Sequence, residues 1–351
     1  MSSPRIPIEN IYYLFCYAWD RFEQARTIGV GTSDSPDLAN LLAKVLVSAT
    51  ETLLRRGLDR EYQLELDELA TIRGKIDIAG TLQLRMQRRP GVSVEFDELS
   101  VDNHQNRVLK ALFNRLAKTI GLSSTLSHQL LVLVRRLKDV ADIRLVRSDF
   151  ANIRLHRNNS YYGLALAVAR LAFDCQLPSP DGRGFQFMDV LRDERKMARV
   201  FEDFLRNFYR IEQTDFAVVP LQMEWDATPV RVGPTDRLPS MRTDIVLRSA
   251  TRTIIVDAKY HAEAVQAYEG SESFKSGNIY QIFAYIQNAA RLDRTISLPE
   301  GMLIYPTVGR EIDATYRLHD HRLRIASVDL AQPWRAIADR LQNLLAPVSA
   351  G

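Results

Sequence analysis

Apolar positions along this chain follow two periods, and each change of period marks an element. Leu38, Leu41, Leu42, Val45 and Leu46 recur at helical spacing and predict a helix over 37–56. Helical period returns at 126–137, 161–173, 278–286 and 331–345. It also predicts a long helix over 189–209, with Met197, Val200, Phe201, Phe204, Leu205 and Phe208 on one side and Glu202 beside that stripe. Residues 11–19 are apolar around most of a helical circumference, which predicts a buried helix. Asp102-Asn103 reads as the cap of a helix through 106–113. Alternating or β-branched runs predict strands at 62–66, 71–78, 92–96, 218–225, 301–306 and 325–328, with Gly74 marking a turn or bulge in the second. Segment 231–241 reads as a loop, and the polar stretch 263–277 as a mobile one.

The most informative stretch is 244–259. Two apolar, β-branched runs flank Ser249-Ala250-Thr251-Arg252, which predicts a β-hairpin. Closing it with Arg248 against Thr253 sets Leu247 opposite Ile254, Ile245 opposite Val256 and Asp244 opposite Asp257. Directly opposed residues have Cβ atoms about 5 Å apart, so the two carboxylates repel unless a cation or a proton lies between them. Lys259 follows Asp257 by two residues and shares its face. Two acids and an amine at one strand end suit a hard divalent cation and an activated water. An isolated Asp-x-Lys is more often a solvated face; the facing Asp244 and the apolar second strand set this one apart.

Composition narrows the class. The length of 351 residues suggests about two domains, and a net charge of +3 is compatible with nucleic acid without implying it. Leu177 to Gly184, rich in Pro, Gly and Asp, is the clearest linker and sets the expected division into 1–182 and 183–351. The two cysteines, Cys16 and Cys175, lie in apolar surroundings and read as core residues of a reducing compartment. No apolar run reaches about 18 residues and no signal peptide is evident, so a cytoplasmic protein is expected. Arg135, Arg136, Lys138, Arg144, Arg147, Arg154 and Arg157 form a basic stretch, a solvated surface first and a phosphate-contacting one second. The sequence has no P-loop, Cys-x-x-Cys, His-Glu-x-x-His or Gly-x-Ser-x-Gly. Its six histidines lack metal-ligand spacing; His319 and His321 read as surface residues and His261 as a bystander.

The order helix (Glu202), strand (Asp244), strand (Asp257-Ala258-Lys259), helix (Gln281, Tyr285) resembles the PD-(D/E)xK nuclease superfamily, in its variant with a Gln-x-x-x-Tyr helix. The resemblance narrows to McrC proteins, nuclease subunits of McrBC-type modification-dependent restriction systems. It is carried by Ile6-Pro7-Ile8-Glu9-Asn10-Ile11-Tyr12-Tyr13-Leu14, Arg73-Gly74-Lys75-Ile76-Asp77, Asp97-Glu98-Leu99-Ser100, Asn106-Arg107-Val108-Leu109-Lys110 and Phe201-Glu202-Asp203-Phe204-Leu205. It implies an α+β N-terminal domain followed by an α/β restriction-endonuclease-like domain, with a central mixed sheet flanked by helices. It also implies Mg²⁺ held by Asp244, Asp257 and the Ala258 carbonyl, with Lys259 orienting or activating the attacking water. Glu202 would reach the site directly or through a water, and Gln281 would bind a phosphate or that water, with Tyr285 beside it.

The implied activity is cleavage of modified, methylcytosine-containing double-stranded DNA. The implied partner is a McrB-like hexameric AAA+ GTPase, which the subunit contacts through its N-terminal half and stimulates. Arg and Lys within 73–89 are candidates for that contact, although a structural role is the commoner one for each. The alternatives are a non-catalytic, nuclease-like adaptor that activates an AAA+ NTPase, and a free-standing DNA repair nuclease. The intact Asp244, Asp257 and Lys259 weigh against the first, and the large N-terminal half against the second.

Overall fold

The structure is a computed structural model that describes residues 6–28, 35, 37–179, 184–188, 193–219, 222–225, 227–228, 230, 238–260, 265–268, 271–292 and 298–347. It forms two compact units. One is essentially Pro36–Met188; the other joins Met1–Arg26 to Asp189–Gly351. The expected division at 182/183 lies outside the described residues. The first helix, α1 (Ile8–Ala18), was expected in the N-terminal domain but belongs with the C-terminal half. An all-round apolar helix announces that it is buried, and its own pattern does not say against what.

The N-terminal unit is α+β. Helix α2 (Leu38–Arg56) starts where the Asp37 side chain accepts the Asn40 N–H at 2.8 Å, an ordinary N-cap. Strands β1 (Glu61–Leu69) and β3 (Val92–Ser100) pair antiparallel from Glu61↔Ser100 to Leu69↔Val92. Of the expected strand 71–78 only β2 (Lys75–Ile76) pairs. Asp77 then turns the chain by accepting the Gly80 N–H, and α3 (Ile78–Met86) follows. Gly74 makes the predicted turn: its φ is +73°, and a Cβ there would lie 2.4 Å from the Glu95 carbonyl oxygen. Helices α4 (His104–Leu116), α5 (Ser124–Arg136) and α6 (Gly163–Asp174) complete the unit. The Asn103 side chain caps α4 by accepting the Asn106 N–H. Tyr62, Leu64 and Leu66 on β1 are 71%, 63% and 66% exposed, so its alternating apolar side is not core within this unit.

The C-terminal unit is built on helix α7 (Glu194–Glu212) and a six-stranded mixed sheet. Its strands are β4 (Ala217–Val219), β7 (Ile245–Arg248), β8 (Thr253–Ala258), β9 (Glu300–Thr307), β10 (Asp313–Leu318) and β11 (His321–Asp329). The order is β10-β11-β9-β8-β7-β4, parallel across β8-β9-β11 and antiparallel at both edges. The expected strand 218–225 divides into β4 and β5 (Gln222–Met223), and β5 pairs with β6 (Met241–Arg242) just before Asp244. Strand β10 was not foreseen. The stretch expected to be polar and mobile contains an antiparallel ribbon of Val265–Tyr268 with Ser271–Phe274. The 231–237 part of the expected loop, and His261, fall outside the described residues.

Strand alternation divides the core of this unit. Ile245, Leu247, Ile254 and Val256 join Phe201, Phe204 and Phe208 of α7, Leu14 and Tyr17 of α1, and Ile337 and Leu341 of α9 (Trp334–Asn343). Val246 and Ile255 point to the other side, with Ile282, Tyr285 and Ile286 of α8 (Ser276–Leu292). Helices therefore cover both faces of the sheet, which explains why β7 and β8 are continuously apolar. Tyr17 anchors α1 by stacking on Phe22 with centroids 4.1 Å apart and donating to Glu212 at 2.5 Å. The buried Asn10 amide donates to the carbonyls of Leu330 and Gln332, each at 2.8 Å. Cys16 and Cys175 are both buried, as expected. His321 corrects its expectation: it is 4% exposed, with Nδ1 2.9 Å from the Pro299 carbonyl. Among the described residues no helix is long and apolar enough to cross a membrane.

Candidate active site

The hairpin closes in the predicted register, with Thr253↔Arg248, Ile254↔Leu247 and Val256↔Ile245. One step further along the strands, Asp244 faces Asp257. The Asp244 side chain reaches across the ribbon, and its Oδ2 accepts the Ala258 N–H at 2.9 Å. Ala258 thus meets the site through its main-chain amide. Asp257 is 1% exposed. Its Oδ2 forms an ion pair with the Lys259 ammonium at 2.6 Å but, like Oδ1, accepts no well-aligned hydrogen bond, and Oδ1 has no cation beside it among the described residues. Lys259 is therefore paired with the acid of its own strand end.

Helix α8 continues the polar chain. The Lys259 ammonium donates to Gln281 Oε1 at 2.8 Å, and Gln281 Nε2 donates to the Tyr285 hydroxyl at 2.8 Å. Tyr285 in turn donates to the Arg242 carbonyl at 3.0 Å. Residues one turn apart on a helix share a face, so α8 presents Gln281 and Tyr285 together while Ile282 and Ile286 hold it to the sheet.

Glu202 comes from α7, and here the structure adds a residue that sequence reasoning missed. Arg206, one turn on, bonds the Glu202 carboxylate and also Asp203 Oδ1 at 2.7 Å. Its Nε and Nη2 both donate to the Asp244 main-chain carbonyl at 3.2 Å. The Glu-to-Arg spacing on the helix was the available signal for the first contact; nothing local signals the second.

The electrostatics follow from gathering acids in a poorly hydrated place. Burial, then the Asp257 charge, push the Asp244 carboxyl up to about 6, against the lowering effects of the Ala258 amide, Lys259 and Arg206. Asp257 is raised by burial with Glu202 adding to it, and Lys259 opposes the rise. Glu202 is raised by burial and then by Asp244, and Arg206 opposes. Three acids feel one another, and two cations only partly relieve them.

This donor set fits a hard divalent cation. A buried carboxylate oxygen without a hydrogen bond is costly to leave unsatisfied, and a cation supplies what Asp257 Oδ1 lacks. Among the described residues no group of three His, Cys, Asp or Glu side chains closes into a cage. Mg²⁺ does not need one, because it is held through one or two carboxylates and keeps its waters or phosphate ligands.

The model of the family described as McrBC 5-methylcytosine restriction system component matches residues 10–306. The chain belongs to this family. A McrBC relative from Escherichia coli strain K12, the Type IV methyl-directed restriction enzyme EcoKMcrBC, is 29% identical over 350 residues, covering 98% of each chain. In fold, the chain resembles one from the half-complex of a tetradecameric assembly of Thermococcus gammatolerans McrB AAA+ hexamers with bound McrC. The TM-score is 0.61 at 17% identity, covering 97% of this chain and 76% of that one. The McrBC match therefore spans both compact units.

Proposed function

We propose that this chain is the Mg²⁺-dependent DNA endonuclease subunit of a McrBC-type restriction system, and that its C-terminal unit is a PD-(D/E)xK nuclease domain. It hydrolyses phosphodiester bonds in methylcytosine-containing double-stranded DNA when driven by a McrB-like hexameric AAA+ GTPase, which it stimulates. The observation that carries this reading is the open end of the hairpin: one step past the Val256↔Ile245 pair, the Asp244 carboxylate reaches across to the Ala258 amide beside Asp257, and the Lys259 ammonium lies 2.6 Å from Asp257. Family membership supports it.

Asp244 and Asp257 would hold the ion, which when bound would stabilise charge on the phosphate and make a coordinated water more acidic. The chain's own residues do the rest. Lys259, positioned by Asp257 and Gln281, holds its amine where it orients a water or meets phosphate charge. Gln281 is fixed from both sides, by Lys259 and Tyr285, and offers its amide to the same region. Tyr285 ties this chain to the main chain at Arg242, just ahead of Asp244. The apolar walls of Val246, Ile255 and Ile282 limit water behind the acids.

The test is Asp257→Ala in the full chain, assayed on methylated plasmid with partner, GTP and Mg²⁺. Cleavage is expected to fall to background while stimulation of partner GTP hydrolysis persists. A variant that still cuts would show the site to be elsewhere. A parent chain that stimulates the partner without cutting would make it an adaptor, and one that cuts with no partner present would make it a free-standing nuclease.

A further inference from the structure

We propose that Arg206 is a positioning residue that fixes the two acids entering the site from different elements. Glu202 arrives on α7 and Asp244 just ahead of the first strand of the hairpin, 42 positions later in the chain. The Arg206 guanidinium joins them. One edge binds the Glu202 and Asp203 carboxylates, and Nε with Nη2 binds the Asp244 carbonyl. Asp244 is thereby held at both ends: its main chain by Arg206, its carboxylate by the Ala258 amide at 2.9 Å. Met197, Phe201, Phe204 and Leu205, all buried, hold α7 still behind the clamp.

The role needs a planar, forked donor and not merely a positive charge. Arginine can bind a carboxylate with one part of its fork and a carbonyl with another at fixed angles; a lysine ammonium is a point charge on a flexible stem. Displacement of a catalytic group by about 1 Å costs roughly a hundredfold in rate, so a clamp on the Asp244 backbone bears directly on turnover. The inference rests on the reading of this site as a Mg²⁺-dependent nuclease.

The experiment uses the full chain with partner and compares the parent with Arg206→Lys. Three readouts are taken: thermal melting in EDTA, Mg²⁺ binding by calorimetry, and single-turnover cleavage at saturating Mg²⁺. Arg206→Lys is expected to melt with the parent, to bind Mg²⁺ about fivefold or more weakly, and to cleave about tenfold to a hundredfold more slowly. Affinity and rate both within twofold of the parent would overturn the proposal, because charge alone would then suffice. Should Arg206→Lys fail to fold, Asp203→Ala keeps the proposal testable, since it removes one anchor of the guanidinium and leaves Glu202, Asp244 and Arg206 in place. Asp203→Ala is expected to show the same paired losses at a smaller size, about threefold, and parent-like affinity and rate would again overturn it. Where both variants fold, their combination should be no slower than the slower single variant, as for residues acting in series; multiplied effects would refute the clamp. A parent chain that neither binds Mg²⁺ nor cuts would fail the underlying reading instead, and the clamp with it.

Discussion

Two antiparallel strand pairs in this molecule have opposite environments. The β7–β8 ribbon is buried on both faces, with Ile254, Ile255 and Val256 each 0% exposed, and it ends in acids. The β1–β3 ribbon pairs over nine residue positions, yet Tyr62, Leu64 and Leu66 stand in solvent. Backbone pairing alone therefore does not tell a core element from a presented surface. In the first ribbon, packing on both sides fixes the carboxylates where burial raises their pKa. In the second, the apolar residues contribute little to the fold of their own unit and are left for something else to cover.

The largest contrast comes from one kind of truncation made in each ribbon. Ile255→Ala should cost about 2–5 kcal/mol, since it opens a cavity between β8 and α8. Leu64→Ala should change stability by no more than about 0.5 kcal/mol. Urea unfolding of the two variants measures this directly, and equal losses would mean that the β1 side chains are covered within the chain.

The sequence made the buried ribbon legible because it admits few solutions. Two β-branched runs around a four-residue loop close in one good register, and strand parity then places Asp244, Asp257 and Lys259 on one face. The helix spacing of Gln281 and Tyr285 worked for the same reason. What escaped was whatever depended on a distant partner. Arg206 reads as half of a local helix pair with Glu202, and its bond to the Asp244 carbonyl spans 38 positions. Helix α1 reads as buried without naming the helix it packs on, α7. Asp77 can continue a strand or cap a helix, and only the Gly80 N–H within its reach decides for the cap. The alternation of β1 predicts one apolar side correctly but cannot say whether that side meets core.

Next in size is the function of the exposed side. If the N-terminal unit meets the AAA+ partner, a combined Tyr62→Ser, Leu64→Ser and Leu66→Ser variant should lose about tenfold or more in apparent affinity for it, read from stimulated GTP hydrolysis. Melting should be unchanged. Full stimulation at parental concentration would remove this ribbon from the interface and sharpen the question of what covers it.

A smaller effect tests the strain in the buried ribbon. Burial, then the Asp257 charge, push the Asp244 carboxyl up to about 6 in the fold, from its ordinary 3.8. The folded metal-free chain thus binds more protons than the unfolded one between those values, and the contribution of Asp244 to stability is present at pH 4 and lost as pH rises through about 6. Asp244→Asn keeps an acceptor for the Ala258 amide and removes the charge. Without metal it should match the parent near pH 4 and exceed it by about 1–2 kcal/mol at pH 8. Saturating Mg²⁺ should narrow or reverse that gap, because only the parent retains both carboxylates for the ion. A gap that does not change with pH would mean that neither burial nor the Asp257 charge raises the Asp244 carboxyl in the fold.

The finest test falls on the far end of the polar chain. Tyr285 donates to the Arg242 carbonyl and accepts from Gln281, so its hydroxyl links β6 to the residue that holds Lys259. Tyr285→Phe keeps the ring in its apolar contacts with Ile255 and Ile282 and removes only those two bonds. A neutral hydrogen bond is worth about 0.5–1.5 kcal/mol, so single-turnover cleavage should slow by roughly threefold to tenfold with little change in stability. Gln281→Leu should slow it at least as much, because Lys259 then loses its partner on α8. If Tyr285→Phe slows cleavage while Gln281→Leu does not, the route through Lys259 is wrong, and the tyrosine acts through the backbone at Arg242, two residues before Asp244.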